Sequence, residues 1–174
     1  MAVNAMQSVA TDVLAQAKVV FAFSGEGVHS QKSDIELVRA STSFERCAKA
    51  LSSQGVCVEE ALRKGLGVHE APWSAIATTV INVCLADLWR SWGYAPELAC
   101  GHSVGELAAA YVSGLFSLEQ TMQAAVTLGR IATKIQGAML YTKIARGSLQ
   151  GALQGTGLAV AAINTSEDPA LVTL

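Results

Sequence analysis

The sequence predicts an α/β fold, because short apolar strands alternate with helices along the chain. Residues 18–23 form a β-branched and aromatic run that ends in the glycine turn Ser24-Gly25-Glu26-Gly27. Residues 98–100 form a second brief strand, followed directly by a glycine-rich turn and an alanine-rich helix over 106–112. With 174 residues, the chain is long enough for one well-formed core.

Helical periodicity predicts further elements around these strands. Apolar residues recur at helical spacing in 34–52 and 57–65, which indicates surface helices. The segment 74–92 is longer and more apolar, so we expect a helix that is packed on several sides and stopped by Gly93 and Pro96.

A capping box and a change of pattern organise the C-terminal part. Ser117 and Gln120 fit a capping box, which opens a helix running to about Ile135. The following pattern predicts a smaller β-α-β element, with strand 137–144, helix 148–153, strand 158–164 and the start of a strand at 170–174. We therefore divide the chain into 1–136 and 137–174.

Composition excludes several classes of protein. Hydrophobic residues make up 51% of the chain and charged residues 15%, which excludes an intrinsically disordered chain. No apolar run approaches the roughly 20 residues of a membrane-spanning helix, so we expect no membrane association. A net charge of −2 provides no basic surface for a nucleic acid.

The cysteines and the N-terminus favour a reducing compartment. Cys47, Cys57, Cys84 and Cys100 show neither CxxC pairing nor a histidine at ligand spacing. We predict four reduced core thiols, with disulfides or a metal site as the alternatives. Residues 1–18 lack the basic and apolar regions of a secretory signal, so we expect a cytoplasmic protein.

The pattern Gly101-His102-Ser103-Val104-Gly105 is typical of a nucleophile elbow. Glycines on both sides permit a strained turn that holds a serine hydroxyl at a helix N-terminus, where N–H groups can stabilise an oxyanion. The alternative is an ordinary N-cap serine between two turn glycines.

A serine nucleophile also needs a base, and the chain has three histidines, His29, His69 and His102. His102 adjoins the serine and is expected to point to another side of the turn. His69 reads as a surface residue, and His29 either borders the site or is an exposed loop residue. None completes a Ser-His-Asp arrangement.

Three motifs taken together carry a family resemblance: residues 21–27, the segment Leu88-Trp89-Arg90-Ser91-Trp92-Gly93, and GHSVGELAAA at 101–110. In order and spacing they resemble the acyltransferase domains of polyketide synthases and malonyl-CoA:acyl-carrier-protein transacylases. The resemblance implies an α/β-hydrolase-like core with a nucleophile elbow, plus the beginning of a ferredoxin-like small subdomain.

The resemblance also implies roles for particular residues. Ser103 would be acylated by an acyl-CoA and would pass the acyl group to the phosphopantetheine thiol of an acyl carrier protein. The backbone N–H groups of Glu26 and Val104 would form the oxyanion hole, and His102 would line the acyl pocket. Coenzyme A thioester is then a substrate, and no bound cofactor or metal is implied.

Substrate contacts depart from the family pattern. Gly25 and Gly27 keep the turn that borders the substrate, but Glu26 stands where the family usually has glutamine. Leu128 stands where the family has an arginine that pairs with the malonate carboxylate, and Arg130 lies about 200° further round the same helix. Leucine suits an uncharged acyl group better, so malonyl and an uncharged starter acyl both remain substrates to consider.

The family's catalytic histidine lies in sequence beyond Leu174. The resemblance therefore covers the first half of an acyltransferase, and the rest of a longer acyltransferase or synthase chain becomes an expected partner. Two alternatives stay open, namely an acyl-thioester hydrolase and a non-catalytic or truncated acyltransferase fragment.

Overall fold

The computed structural model describes residues 19–29, 35–66, 70–137 and 139–174, and the chain divides into two compact units, 1–134 and 135–174. The first unit mixes helices and strands. Its described elements are β1 (Val20–Phe23), α1 (Ile35–Arg39), α2 (Phe44–Ser52), α3 (Val58–Gly65), α4 (Trp73–Ser91), β2 (Leu98–Gly101), α5 (Gly105–Val112) and α6 (Leu118–Ala132).

Strands β1 and β2 are parallel neighbours. Val20 pairs with Leu98 and Phe23 pairs with Gly101. Parallel strands end at the same edge of a sheet, which is where ligands bind in open α/β folds. The glycine turn that follows β1 and the Ser103 turn that follows β2 therefore lie side by side.

Helix α4 forms the centre of the first unit. Its residues 74–84 are all buried, and it packs on α3, α5 and α6, which confirms the predicted helix packed on several sides. The helix ends before Gly93, whose φ of 92° is the left-handed conformation of a helix-terminating glycine. This long buried helix is the scaffold on which α3, α6 and the Ser103 helix α5 pack, and α5 in turn packs on the two strands.

Two predicted helices differ in their bounds from the structure. The stretch 34–52 is broken into α1 and α2, and Ser41 Oγ accepts a hydrogen bond from Ser43 N at 3.3 Å within the break. Serine hydroxyls that bond nearby backbone groups compete with helix continuation. The predicted capping box at Ser117 and Gln120 is confirmed, but α6 ends at Ala132 rather than at Ile135.

The second unit is an antiparallel sheet with one helix. Its elements are β3 (Tyr141–Ile144), α7 (Arg146–Leu153), β4 (Ala162–Ile163) and β5 (Ala170–Thr173). The strand order is β3-β5-β4, with β5 antiparallel to both neighbours. The strands predicted over 137–144 and 158–164 are shorter than expected, because only residues opposite the four-residue β5 have ladder partners. The ferredoxin-like expectation stays a prediction.

The prediction of four core thiols is wrong for two of them. All four cysteines are free, and Cys47 and Cys84 are buried, but Cys57 and Cys100 are exposed. Cys100 lies on the strand β2, whose apolar sequence suggested burial, and Cys57 precedes the first turn of α3. Among the described helices, none is long and apolar enough to cross a membrane.

A polar network ties the C-terminal end of α5 to α4. The Asp87 carboxylate accepts hydrogen bonds from Tyr111 OH at 2.6 Å, from Ser43 Oγ, and from Arg90 Nη1 at 3.2 Å. Arg90 Nη2 also donates to the carbonyl of Val112, the last residue of α5, at 2.7 Å. The end of α5 far from Ser103 is thus fastened to the central helix.

This network makes the first unit sensitive to alkaline pH. Burial, together with the hydrogen bond to Asp87, raises the pKa of Tyr111 to about 12. An unfolded tyrosine titrates near pH 10, so between about pH 10 and 12 the unfolded chain releases a proton that the folded chain keeps. We expect the free energy of unfolding to fall between these pH values. The Tyr111→Phe variant should show a smaller fall, because it lacks the contribution of Tyr111 ionisation. Denaturant titrations at each pH measure the free energy of unfolding, with Tyr94→Phe as the exposed control. If this free energy fell equally with pH in Tyr111→Phe and in the native protein, the prediction would be contradicted.

The N-terminal end of α5 is held by close backbone contact. A Cβ atom at Gly105 would lie 2.4 Å from the carbonyl oxygen of Phe23 and 2.7 Å from that of Ser24. Real Cβ atoms do not approach backbone oxygens this closely, so a glycine is required where α5 starts against β1.

Gly105→Ala therefore tests the contact between α5 and β1. We expect the free energy of unfolding of the first unit to fall by about 1–3 kcal/mol, because the added methyl must push the helix and the strand apart. Tryptophan fluorescence reports on this unit, since all three tryptophans lie within it. Gln123→Ala on the exposed face of α6 is the control, because it lies in the same unit and leaves the contact between α5 and β1 unchanged. A Gly105→Ala protein as stable as the native one would rule out this packing.

Candidate active site

Ser103 lies in a sharp turn between β2 and α5. Its φ is 54°, and it is the only non-glycine residue with a positive φ in the described part of the chain. That backbone conformation is strained for a side chain with a Cβ and is concentrated at functional sites. A Cβ at Gly101 would lie 2.3 Å from Glu106 N and from the carbonyl carbon of Gly105. Glycine at 101 thus lets the helix fold back sharply on the strand.

Backbone hydrogen bonds fix this turn from both sides. His102 N donates to the carbonyl of Phe23 at 3.0 Å, which ties the turn to β1. Gly105 N donates to His102 O at 2.9 Å, and Glu106 N donates to Ser103 O at 3.0 Å. Val104 rather than Ser103 occupies the N-cap position of α5, and no side chain caps the helix. The reading of Ser103 as an N-cap serine is therefore wrong.

The glycine turn after β1 contacts Ser103 directly. Gly25 is buried, and a Cβ added to it would lie 3.0 Å from His102 O, 3.1 Å from His102 Nδ1 and 3.2 Å from Ser103 Cβ. Glu26 and Gly27 are exposed next to this contact, and Gly27 has a φ of 97°. The structure thus brings together the residues of the turn, His102 and Ser103, which were all predicted site residues.

Two backbone N–H groups at this contact are available to an anion. Neither Glu26 N–H nor Val104 N–H has a hydrogen-bond acceptor among the residues that the structure describes. Val104 N–H belongs to the N-terminus of α5, where helix N–H groups lack intrahelical acceptors and the helix dipole favours negative charge. Glu26 lies in the glycine turn that contacts Ser103, and Val104 directly follows the exposed Ser103.

Asn82 is a site residue that sequence reasoning missed. It lies on α4, is 5% exposed, and its Nδ2 donates to the carbonyl of Ser24 at 2.9 Å. Its Oδ1 lies 3.4 Å from His29 Nε2. The signal in the sequence was a lone amide inside the apolar run Val80-Ile81-Asn82-Val83, which helical periodicity alone assigns to the core.

His29 is not an exposed loop histidine. It is half-buried, and burial lowers its pKa, with the hydrogen bond to Asn82 acting in the opposite direction. A neutral His29 with its proton on Nε2 donates to Asn82 Oδ1. His29 thus borders the glycine turn as a structural partner of Asn82.

Within the described ranges, no histidine contacts the Ser103 hydroxyl. His29 bonds Asn82, and His102, though exposed, makes its described hydrogen bonds through its backbone. His69 lies outside the described residues. The site in the described residues therefore contains a positioned serine and two N–H donors, and no described histidine is placed to act as a base toward Ser103.

Leu128 lies on a different surface feature. It is 41% exposed on α6 and lines an open groove of about 480 Å³ with Phe116, Ala124 and Ile131. Neither Ser103 nor the glycine turn lines this groove. Arg130 is engaged elsewhere, because its Nη2 donates to the carbonyl of Gln54 at 2.9 Å. Arg130 thus does not take the place of an arginine at 128.

Comparisons with known proteins identify the family. A family model described as acyl transferase domain matches residues 20–166. The chain is 38% identical over 128 residues to the non-reducing polyketide synthase ntnG of Nectria sp. and 33% identical over 129 residues to the highly reducing polyketide synthase dmxL2 of Cryptosporiopsis sp.. Each match covers 68% of this chain and 6% or 5% of the synthase.

Solved structures share the fold. The malonyl-CoA:ACP transacylase of Synechocystis sp. superposes with a TM-score of 0.74 at 24% identity, over 90% of this chain and 54% of that one. A loading acyltransferase from the avermectin modular polyketide synthase gives a TM-score of 0.72 at 27% identity, over 89% of this chain and 53% of that one. The chain thus spans about half the length of these solved acyltransferases.

The family match covers both strands of the first unit, the glycine turn and the Ser103 turn. The motifs that carried the resemblance fall inside it. The chain belongs to the acyltransferase domain family of polyketide synthases and malonyl-CoA:acyl-carrier-protein transacylases.

Proposed function

We propose that this chain carries the nucleophile of a serine acyltransferase, which moves an acyl group from coenzyme A to an acyl carrier protein in polyketide or fatty acid synthesis. The observation that supports this most strongly is Ser103 itself. Its left-handed backbone turn, packed on Gly25 and flanked by two N–H groups without acceptors among the described residues, supports the role of a nucleophile elbow.

Acyl transfer would proceed in two balanced half-reactions. The Ser103 hydroxyl attacks the thioester carbonyl, loses its proton to a base, and forms an ester as the coenzyme A thiol departs with a proton. The phosphopantetheine thiol of the carrier then attacks that ester, and Ser103 recovers its proton. The base would be the histidine that the family resemblance places outside these 174 residues.

The oxyanion of each tetrahedral intermediate would lie between Glu26 N–H and Val104 N–H. Donors of this kind act on charge that develops only in the transition state. Glu26 would contribute through its backbone, so the replacement of glutamine by glutamate is compatible with the role. Its exposed side chain leaves the carboxylate in solvent rather than against the developing anion.

The acyl substrate, the carrier, the parent chain and the cellular compartment are also part of the proposal. The family resemblance, and not the groove that Leu128 lines, associates position 128 with the acyl group, and a leucine there provides no guanidinium for a malonyl carboxylate, which favours an uncharged starter acyl over malonyl. One solved protein of the same fold is a malonyl-transacylase in complex with its acyl carrier protein, which supports a carrier as acceptor. The short share of each synthase that is matched supports a longer parent chain, and four free thiols favour the cytoplasm.

Intact-protein mass spectrometry tests the proposal. The acyltransferase is prepared as its gene encodes it, including any sequence outside these residues, and is incubated with malonyl-CoA or acetyl-CoA. We expect a mass increase of one acyl group at Ser103, lost in Ser103→Ala, because no other hydroxyl residue of the described ranges lies in a positive-φ turn. Loss of a nucleophile lowers rates by roughly 10³–10⁶-fold. Ser113→Ala is the matched control, since Ser113 is an exposed serine at the other end of α5.

The fate of the acyl group separates the alternatives. Transfer to an acyl carrier protein bearing phosphopantetheine supports the acyltransferase. Release of the free acid at the same rate with and without the carrier identifies a thioester hydrolase. Absence of any adduct on the native protein identifies a non-catalytic domain and removes the proposed function.

A further inference from the structure

We propose that Asn82 is a positioning residue for the glycine turn that follows β1. Its buried amide holds both ends of the Ser24–His29 segment and so keeps the Glu26 N–H group beside Ser103. This inference rests on the proposed function and adds to it a residue outside the three motifs that carried the family resemblance. Asn82 contacts no reacting atom, so its effect on the reaction passes through the turn.

The two hydrogen bonds of Asn82 bracket the turn. Nδ2 donates to the carbonyl of Ser24, at the start of the turn, and Oδ1 accepts from His29 Nε2, at its end. Side-chain amides offer a donor and an acceptor on one rigid plane. One side chain therefore fixes the separation of the two ends of a turn that carries Glu26 between them.

Little else in the described part of the chain restrains this turn. Glu26, Gly27 and Val28 are exposed, and Val28 is 67% exposed despite its apolar side chain. Among described residues, Asn82 makes the only hydrogen bonds that reach residues 24–29. Within the described residues, the turn is otherwise held by packing, of Gly25 on His102 and Ser103 and of Ser24 on Gly105.

Asn82 lies at a rigid position in the central helix. Asn82 is flanked on α4 by Ile81 and Val83, which are 1% and 0% exposed, in a helix buried along most of its length. A buried amide that loses its partners keeps the full cost of leaving water, so the amide is strongly held to its two bonds. The turn is thus fixed to the central helix on one side and to Ser103 on the other.

Loss of the two Asn82 hydrogen bonds should weaken the stabilisation of the transition state and leave substrate binding largely unchanged. Removing one oxyanion donor outright lowers kcat by roughly 10²–10³-fold. Displacing that donor without deleting it should cost less, and we expect Asn82→Leu to lower the kcat of acylation by about 10–100-fold. KM for the acyl-CoA should stay within about twofold, because the oxyanion does not exist in the ground state.

Three variants and one control test this in the full acyltransferase. Asn82→Leu removes both hydrogen bonds, and Asn82→Asp keeps the volume and the acceptor for His29 but removes the donor to Ser24. His29→Gln keeps a donor for Asn82 Oδ1 and should retain most of kcat. Thr79→Val is the matched control: Thr79 is 0% exposed on the same helix, and its hydroxyl bonds only its own helix, at Ala75 O.

A fall in kcat at constant KM for Asn82→Leu and Asn82→Asp, absent from Thr79→Val, supports the positioning role. A native kcat in a folded Asn82→Asp protein overturns it, and this variant carries the test if Asn82→Leu does not fold. Equal losses of kcat in Thr79→Val and the Asn82 variants also overturn it, since they would show a general effect of stability.

Amide hydrogen exchange separates this inference from the proposed function. Exchange of the peptide containing residues 25–28 should accelerate in the Asn82 variants and not in Thr79→Val, and this readout needs no activity. If the native protein does not acylate, the proposed function fails, and the exchange result alone decides whether Asn82 holds the turn. Unchanged exchange in a folded Asn82→Asp protein would contradict the proposal that Asn82 holds the glycine turn in place.

Discussion

The close approach of α5 to β1 is the contact on which the rest of the site depends. At Gly105 the helix starts against the carbonyl oxygens of Phe23 and Ser24, at distances that only a glycine permits. This contact forces the chain to leave β2 through a sharp turn, and the turn leaves Ser103 with a positive φ. The strain at Ser103 is thus balanced by backbone packing and by hydrogen bonds on both sides of it.

Helix α4 supports both ends of this arrangement. Through Asn82 it holds the glycine turn that faces Ser103, and through Asp87 and Arg90 it holds the C-terminal end of α5. These polar side chains lie on a helix that is otherwise largely apolar, and each is paired, as burial requires. A single buried helix therefore sets the relative position of the proposed oxyanion donors, one on each turn.

Local patterns predicted well what local chemistry decides. The glycine spacing around Ser103, the capping box at Ser117 and the Gly93 stop all depend on neighbouring residues, so the sequence contained the information directly. Asn82, His29 and Cys100 depend on which distant segments cover them. Asn82 lies in the segment 74–92, whose periodicity predicts only a helix packed on several sides, and its two partners lie more than fifty residues away. No pattern in one sequence shows such a pairing.

The most direct test of the account is a crystal structure of the acyltransferase carrying a phosphonate ester on Ser103, whose anionic oxygen mimics the oxyanion. We predict that this oxygen accepts hydrogen bonds from Glu26 N and Val104 N, at about 2.7–3.1 Å from each. An adduct on Ser103 whose oxygen points to solvent, or is held by other donors, would contradict the account.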